Sequence, residues 1–166
     1  MRIYGLIGKS LKHSFSKNYF EEKFNNLKIE DAEYLNFEFE NVSEIREKLS
    51  AKKNLKGLNV TIPYKSSIIP YLDEIDEVAK QIGAVNTIKI EANGKWKGYN
   101  TDVYGFATSL KPFLTNRHSK ALILGTGGAS KAIAFALKQL NIPVVNVSRK
   151  RGKADLTYDQ INQYVL

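Results

Sequence analysis

Thr61, Lys65, Asn86 and Asp102 stand in three short polar strings, NVTIPYK, GAVNT and GYNTD, set between strand-like apolar runs. An amine at Lys65 could exchange a proton with a substrate hydroxyl, and a carboxylate at Asp102 would orient that ammonium and anchor a hydroxyl at the reacting carbon. Asn59, Thr61 and Asn86 add neutral donors and acceptors suited to a polyhydroxylated ligand. Ser14 and Ser16, preceded by His13, follow the first apolar run, where their hydroxyls could bind a carboxylate at the mouth of the same crevice. Each of these residues also has a plainer use. Lysines are usually solvated, Asp102 and the serines suit helix caps, and the others can satisfy turns. Spacing and composition alone do not name the ligand.

A second chemistry follows in the chain. Lys120 to Leu124 reads as a strand running into Gly125-Thr126-Gly127-Gly128-Ala129-Ser130, after which Ile133, Ala136, Leu137 and Leu140 recur at helical spacing. A strand, glycine loop and helix in that order aim backbone N–H groups and the positive end of a helix dipole at a phosphate pair. The string departs from GxGxxG, and glycines also serve plain tight turns. The next strand, Val144 to Ser148, ends in Ser148-Arg149-Lys150-Arg151-Gly152-Lys153, where a dinucleotide fold that binds NAD usually places an acidic residue. Arg149 can stack on adenine or pair with a 2′-phosphate, so NADP is favoured over NAD. The alternative for this run is an exposed basic turn.

These groups need elements to position them. Arg2 to Gly8 reads as a buried strand, Phe15 to Leu27 as a helix carrying Phe20, Phe24 and Leu27 on one face, and Ala32 to Phe39 as a second strand. Ser43 to Lys52 suits a short helix, and Gly57 to Ile62 a strand stopped by Pro63. A helix is expected near Glu74 to Ile82, then a strand over Ala84 to Ile90 that Asn93-Gly94 turns into a hairpin with Lys95 to Tyr99. Thr101 or Asp102 can cap a helix running towards Leu110. The expected architecture is α/β: residues 1–103 form a substrate and catalytic domain with a mostly parallel sheet, and residues 104–166 form part of a Rossmann-like nucleotide-binding domain.

Composition narrows the class. The 166 residues are 43% hydrophobic and 25% charged, the makeup of a folded soluble protein. No cysteine is present, which excludes disulfides, thiolate nucleophiles and sulfur-based metal sites. No apolar run approaches the roughly 18 residues of a membrane helix, so a cytoplasmic protein is expected, with no metal and no membrane partner. The net charge of +8 is uneven: residues 1–103 hold 16 Lys+Arg against 15 Asp+Glu, whereas residues 104–166 hold 9 against 2. That excess suits either a solvated basic face or a local anion such as a nucleotide phosphate. No recognition motif accompanies it, so nucleic acid is not an expected partner.

Taken together, Gly5-Leu6-Ile7-Gly8, His13-Ser14-Phe15-Ser16, Asn59 to Lys65, Gly83 to Thr87, Asn100-Thr101-Asp102 and Gly125 to Ser130 resemble the ordered motifs of the shikimate dehydrogenases. The resemblance implies reversible NADPH-dependent reduction of 3-dehydroshikimate to shikimate on the route to aromatic compounds. By the same resemblance Lys65 is the proton donor and acceptor, with Asp102 beside it. Ser14 and Ser16 hold the substrate carboxylate, and Thr61, Asn86 and Asp102 bind ring hydroxyls. Gly125, Thr126, Gly127, Gly128 and Ala129 take the pyrophosphate, Ser148 to Lys153 the adenosine phosphate end, and Glu77 is a further cofactor candidate.

The chain departs from that pattern in three places. Lys17 replaces a usual proline, Ser148-Arg149-Lys150 stands where Asn-Arg-Thr is common, and the family's chains continue past the position of Leu166. A lone βαβ unit leaves strand edges unpaired, so a fragment is expected, either a monomer or a homodimer. Two further readings follow: a substrate-binding piece without hydride transfer, and a quinate/shikimate dehydrogenase of broader substrate use.

Overall fold

The computed structural model describes residues 1–163, which separate into two units, Met1–Asn100 and the chain from Thr101 onward. In the first, β1 (Arg2–Gly8) lies between two parallel neighbours, β2 (Ala32–Glu38) and β3 (Leu55–Val60). Parallel neighbours require crossover connections, and α1 (Ser16–Asn26) and α2 (Ser43–Ser50) supply them. Beyond β3 come α3 (Tyr64–Ser67), the two-residue β4 (Glu74–Ile75), α4 (Glu77–Ile82) and a hairpin of β5 (Thr87–Ile90) and β6 (Trp96–Tyr99). The sheet order is β2-β1-β3-β5-β6-β4. Only β5 runs against the other strands, so the sheet is mostly parallel, as expected.

Successive strand residues point to opposite faces, and β1 shows the result. Ile7 belongs to the larger core, where Ile45 and Leu49 of α2, Tyr64 and Ile68 after β3, and Ala79 of α4 meet Leu58, Val60, Ile88 and Trp96. Leu6, one residue earlier, packs on the other face with Tyr34, Leu11 and the α1 side chains Phe20 and Phe24. The Phe20 and Tyr34 rings stack at 4.4 Å with an interplanar angle of 11°. Leu27, expected on the same helical face, is 59% exposed because α1 ends at Asn26 and the chain turns away.

Two expected elements are corrected. Glu74 and Ile75 belong to β4, because Asp76 adopts an extended conformation and its carboxylate accepts the N–H groups of Val78 and Ala79, so α4 can begin only at Glu77. The strand expected from Ala84 begins at Thr87: Ala84 O accepts the Asn100 amide and the Val85 N–H goes to Lys65 O, and only from Asn86, bonded to Val60 and Tyr99, does the backbone meet the neighbouring strands. Lys65, just beyond β3 and Pro63, lies in α3.

In the second unit α5 (Asp102–Leu110) precedes β7 (Ala121–Leu124), α6 (Gly128–Gln139) and β8 (Val144–Ser148). Ile123, Leu137 and Ile142 form its core, flanked by Phe106, Leu110 and Ile133. The outer edge of β8 is not bare: β9 (Leu156–Thr157) pairs with it in parallel, giving a sheet of order β7-β8-β9. This corrects the expectation of a lone βαβ unit.

Candidate functional site

The carboxyl ends of β1 and β3 lie side by side, and the backbone there holds the polar strings in register. Thr61 N–H donates to Ile7 O at 2.9 Å, just past the last residue of β3. Gly8 permits this approach: a Cβ at that position would stand 2.9 Å from the Thr61 methyl and 2.4 Å from Leu11. Asn86 is 8% exposed and is pinned on both sides, its N–H to Tyr99 O at 3.0 Å and its O from Val60 N–H at 2.8 Å. The Val85 N–H donates to Lys65 O at 2.7 Å, which ties the α3 lysine to the same end of the sheet. Asn100 leaves β6 at that end too, and its Nδ2 donates to Ala84 O at 2.9 Å.

A cleft of about 700 Å³ opens here, lined by Ser14, Ser16 and Thr61 together with Lys9, His13 and Pro63. Ser14 Oγ accepts the N–H of Ser16, the first residue of α1, at 3.2 Å, so it also serves the start of that helix. Both serines are half-buried. The cleft therefore presents two hydroxyls, a threonine and a lysine charge, a set that suits a small carboxylate bearing hydroxyls. Lys9 is already paired with Glu40 at 2.9 Å, and that partner holds its ammonium above the usual lysine range.

Asn59 has a different setting. Its Oδ1 accepts the Tyr34 phenol at 2.8 Å and its Nδ2 lies 3.4 Å from Thr87 Oγ1, on the α1 face of the sheet. There it lines a separate cavity of about 440 Å³ with Tyr4, Phe20 and Tyr34. Glu77 stands exposed in the first turn of α4, where a carboxylate complements the helix dipole; it does not line the cleft.

In the second unit Asp102 is the first residue of α5, half-buried, after Thr101, whose side chain makes no capping bond. Gly125 has φ +133°, a value closed to residues with a Cβ, and its N–H donates to Val147 O at 2.9 Å. A Cβ at Gly127 would meet nothing within 4 Å, so the loop is open on that side. The first-turn N–H groups of α6 have no partner inside the helix, and no acidic residue stands in that turn. Thr126 and Ala129 are exposed and Gly128 half-buried. At the end of β8, Ser148 is buried and its Oγ accepts the Lys150 N–H at 3.1 Å, while Arg149, Lys150, Arg151 and Lys153 beyond it are exposed. Loop, helix end and cations all fit the diphosphate and phosphate groups of a dinucleotide.

Among the described residues no cluster of His, Cys, Asp or Glu could hold a metal ion, and no helix is long and apolar enough to cross a membrane. An α/β sheet with a polar crevice at its strand ends, followed in the chain by a strand, glycine loop and helix, places the chain among α/β proteins with a Rossmann-like nucleotide-binding segment. The family described as "Shikimate dehydrogenase substrate binding domain" matches residues 6–88. The chain belongs to the shikimate dehydrogenase family.

Its relatives agree along most of its length. It is 47% identical over 153 residues to the shikimate dehydrogenase (NADP(+)) of Clostridium beijerinckii, covering 90% of this chain and 56% of that protein. It is also similar to the crystal structure of shikimate dehydrogenase 1 from Peptoclostridium difficile, with TM-score 0.85, 39% identity, and coverage of 97% of this chain and 62% of that one. A third likeness is to shikimate 5-dehydrogenase from Thermus thermophilus in complex with NADP(H) and shikimate, with TM-score 0.82, 30% identity, and coverage of 93% and 58%. The chain thus spans about half the length of the curated relatives it matches.

Proposed function

We propose that residues 1–103 bind 3-dehydroshikimate and shikimate and that residues 104–166 form the first part of the NADP-binding domain, the two serving reversible NADPH-dependent reduction of 3-dehydroshikimate to shikimate. The observation that carries this reading is the gathering of Ser14, Ser16 and Thr61 on one cleft, with Lys65 and Asn86 tied by backbone bonds to the same end of the sheet. The Ser14 and Ser16 hydroxyls hold the substrate carboxylate, and Thr61, Asn86 and Asp102 hold the ring hydroxyls. NADPH, when bound, supplies the hydride. Lys65 gives its proton to the ketone oxygen in the reducing direction and takes the hydroxyl proton in the other, with Asp102 keeping the ammonium in place. The Gly125–Ala129 loop holds the pyrophosphate, and Arg149 with its basic neighbours meets the 2′-phosphate.

The test is an assay of the chain for shikimate-dependent reduction of NADP, alongside shikimate binding. Turnover with both partners supports the full reading. Binding of shikimate without turnover supports the substrate half alone, and no binding at millimolar shikimate overturns it. Running quinate and NAD in parallel separates a quinate/shikimate enzyme from a strict one.

A further inference from the structure

Asn86 shares a continuous line of side-chain hydrogen bonds with three residues on the α1 face of the first sheet. Tyr34 OH donates to Asn59 Oδ1 at 2.8 Å, Asn59 Nδ2 faces Thr87 Oγ1 at 3.4 Å, and Thr87 OH donates to Asn86 Oδ1 at 3.0 Å. Strand register builds the line. Asn59 sits directly opposite Thr87 across the β3–β5 pair and beside Leu6 of β1, whose neighbour Tyr4 is aligned with Tyr34. A bulge sets the parity: Ile3 pairs with Leu55 but Tyr4 with Gly57, so Lys56 is the extra residue and Gly57 and Asn59 turn to the α1 side.

The line has one direction. An amide carbonyl can only accept and an amide NH₂ can only donate, so a phenol donating into Asn59 Oδ1 turns Asn59 Nδ2 towards Thr87. Thr87 Oγ1 then accepts from Asn59 and spends its own proton on Asn86 Oδ1. Asn86 is left with its NH₂ end turned away from Thr87. The start of the line is firm because Tyr34 is 2% exposed and stacked on Phe20, and burial raises its phenol well above the ordinary tyrosine range, keeping the donor proton in place.

We infer that Tyr34, Asn59 and Thr87 are positioning residues that fix which end of the Asn86 amide meets the substrate, making Asn86 a hydrogen-bond donor to a ring hydroxyl. This rests on the reading that Asn86 contacts the ring hydroxyls, and it gives Asn59 a role through Asn86 instead of a direct substrate contact.

The polarity of the line can be inverted by a nearly isosteric change. In Asn59→Asp both side-chain oxygens accept, so Thr87 OH donates to the introduced carboxylate and its oxygen is left to accept the Asn86 NH₂, turning that amide over. Thr87→Val removes the link, and Thr87→Ser keeps it. Two measurements decide: the side-chain NH₂ resonances of Asn86 in ¹⁵N-labelled protein without ligand, and the shikimate dissociation constant by calorimetry. The expected result is that Asn59→Asp and Thr87→Val move the Asn86 NH₂ resonances and weaken shikimate binding by roughly tenfold, about the worth of one hydrogen bond, while Thr87→Ser behaves as the unaltered chain. Unmoved Asn86 resonances in both Asn59→Asp and Thr87→Val overturn the inference, as does unchanged affinity in both. If the unaltered chain binds no shikimate, the functional reading fails, and the ligand-free resonances still decide the hydrogen-bond line. If Asn59→Asp does not fold, the Thr87 pair carries the test.

Discussion

The two units hold their candidate groups by different means. In the first, the groups sit where buried strands end, and the backbone of each is bonded to a neighbouring strand or loop: Thr61 to Ile7, Lys65 to Val85, Asn86 to both Val60 and Tyr99. Beneath them lie Ile7, Ile45, Ile68 and Ile88, all fully buried. In the second, the core is Ile123, Leu137 and Ile142 with partly buried neighbours, and the candidate groups other than Asp102 are N–H donors at a helix start and exposed cations after β8. The contrast matches the two tasks proposed for these groups. Stereospecific chemistry on a small ring needs side chains fixed to fractions of an ångström, whereas a dinucleotide's phosphates are met by backbone dipoles and mobile charge.

The comparison breaks first at Lys65. Lys65→Ala is expected to lower turnover by roughly 10²- to 10⁴-fold with a much smaller change in shikimate affinity, checked by steady-state kinetics beside calorimetry; a variant of near-normal rate would remove the lysine from the chemistry. Packing supplies the next contrast. Trp96 is 2% exposed beneath the Arg46 guanidinium at 4.7 Å, so Trp96→Ala is expected to cost about 3–5 kcal/mol in urea unfolding. Ile123→Val in the second unit should cost only about 0.5–1.5 kcal/mol. The like change at a fully buried site of the first unit, Ile7→Val, is the control, and a loss no larger than that of Ile123→Val would mean that the two cores are equally tight.

Charge then separates the cofactors. Arg149→Ala is expected to weaken NADP(H) by about 1.5–3 kcal/mol, the worth of a hydrogen bond to a charged group, and NAD(H) far less, as read by fluorescence titration. Equal losses for both would end the 2′-phosphate argument. The smallest effect lies in acid stability. Asp73 accepts the Trp96 N–H at 2.6 Å and the Arg46 guanidinium at 2.8 Å, and these two hold its carboxyl below the usual aspartate range. A lowered folded-state value means that its stabilisation is complete above the unfolded pKa, about 3.9, and disappears as pH falls through the folded one. Asp73→Asn should therefore lower stability at neutral pH and flatten its fall between pH 5 and the acid limit; an unchanged acid slope would contradict the assignment.

Much of this fold was legible in the residues, and the failures have physical causes. β8 runs over Val144–Ser148 as its apolar run implied, and the Asn93-Gly94 turn joins two antiparallel strands. Periodicity could not divide β4 from α4, because Asp76 splits a continuous amphipathic pattern by capping. β9 was missed because two residues carry no period. The polar strings pointed to Thr61, Lys65 and Asn86, yet the direction of Asn59 depended on a bulge at Lys56 that no local pattern announces. The glycine loop and the basic run were legible as positions, ahead of α6 and after β8, because they are defined by backbone and net charge and not by side-chain aim; their contact with a cofactor is a proposal.

The most direct test of the account is a titration of the ¹⁵N-labelled chain with shikimate. Saturable shifts are expected, centred on Ser14, Ser16, Thr61, Lys65 and Asn86, with the Gly125–Ala129 loop and Arg149 answering instead to NADP. Absence of saturable binding at millimolar shikimate, or shifts centred on the Tyr4 and Phe20 cavity across the sheet, would contradict it.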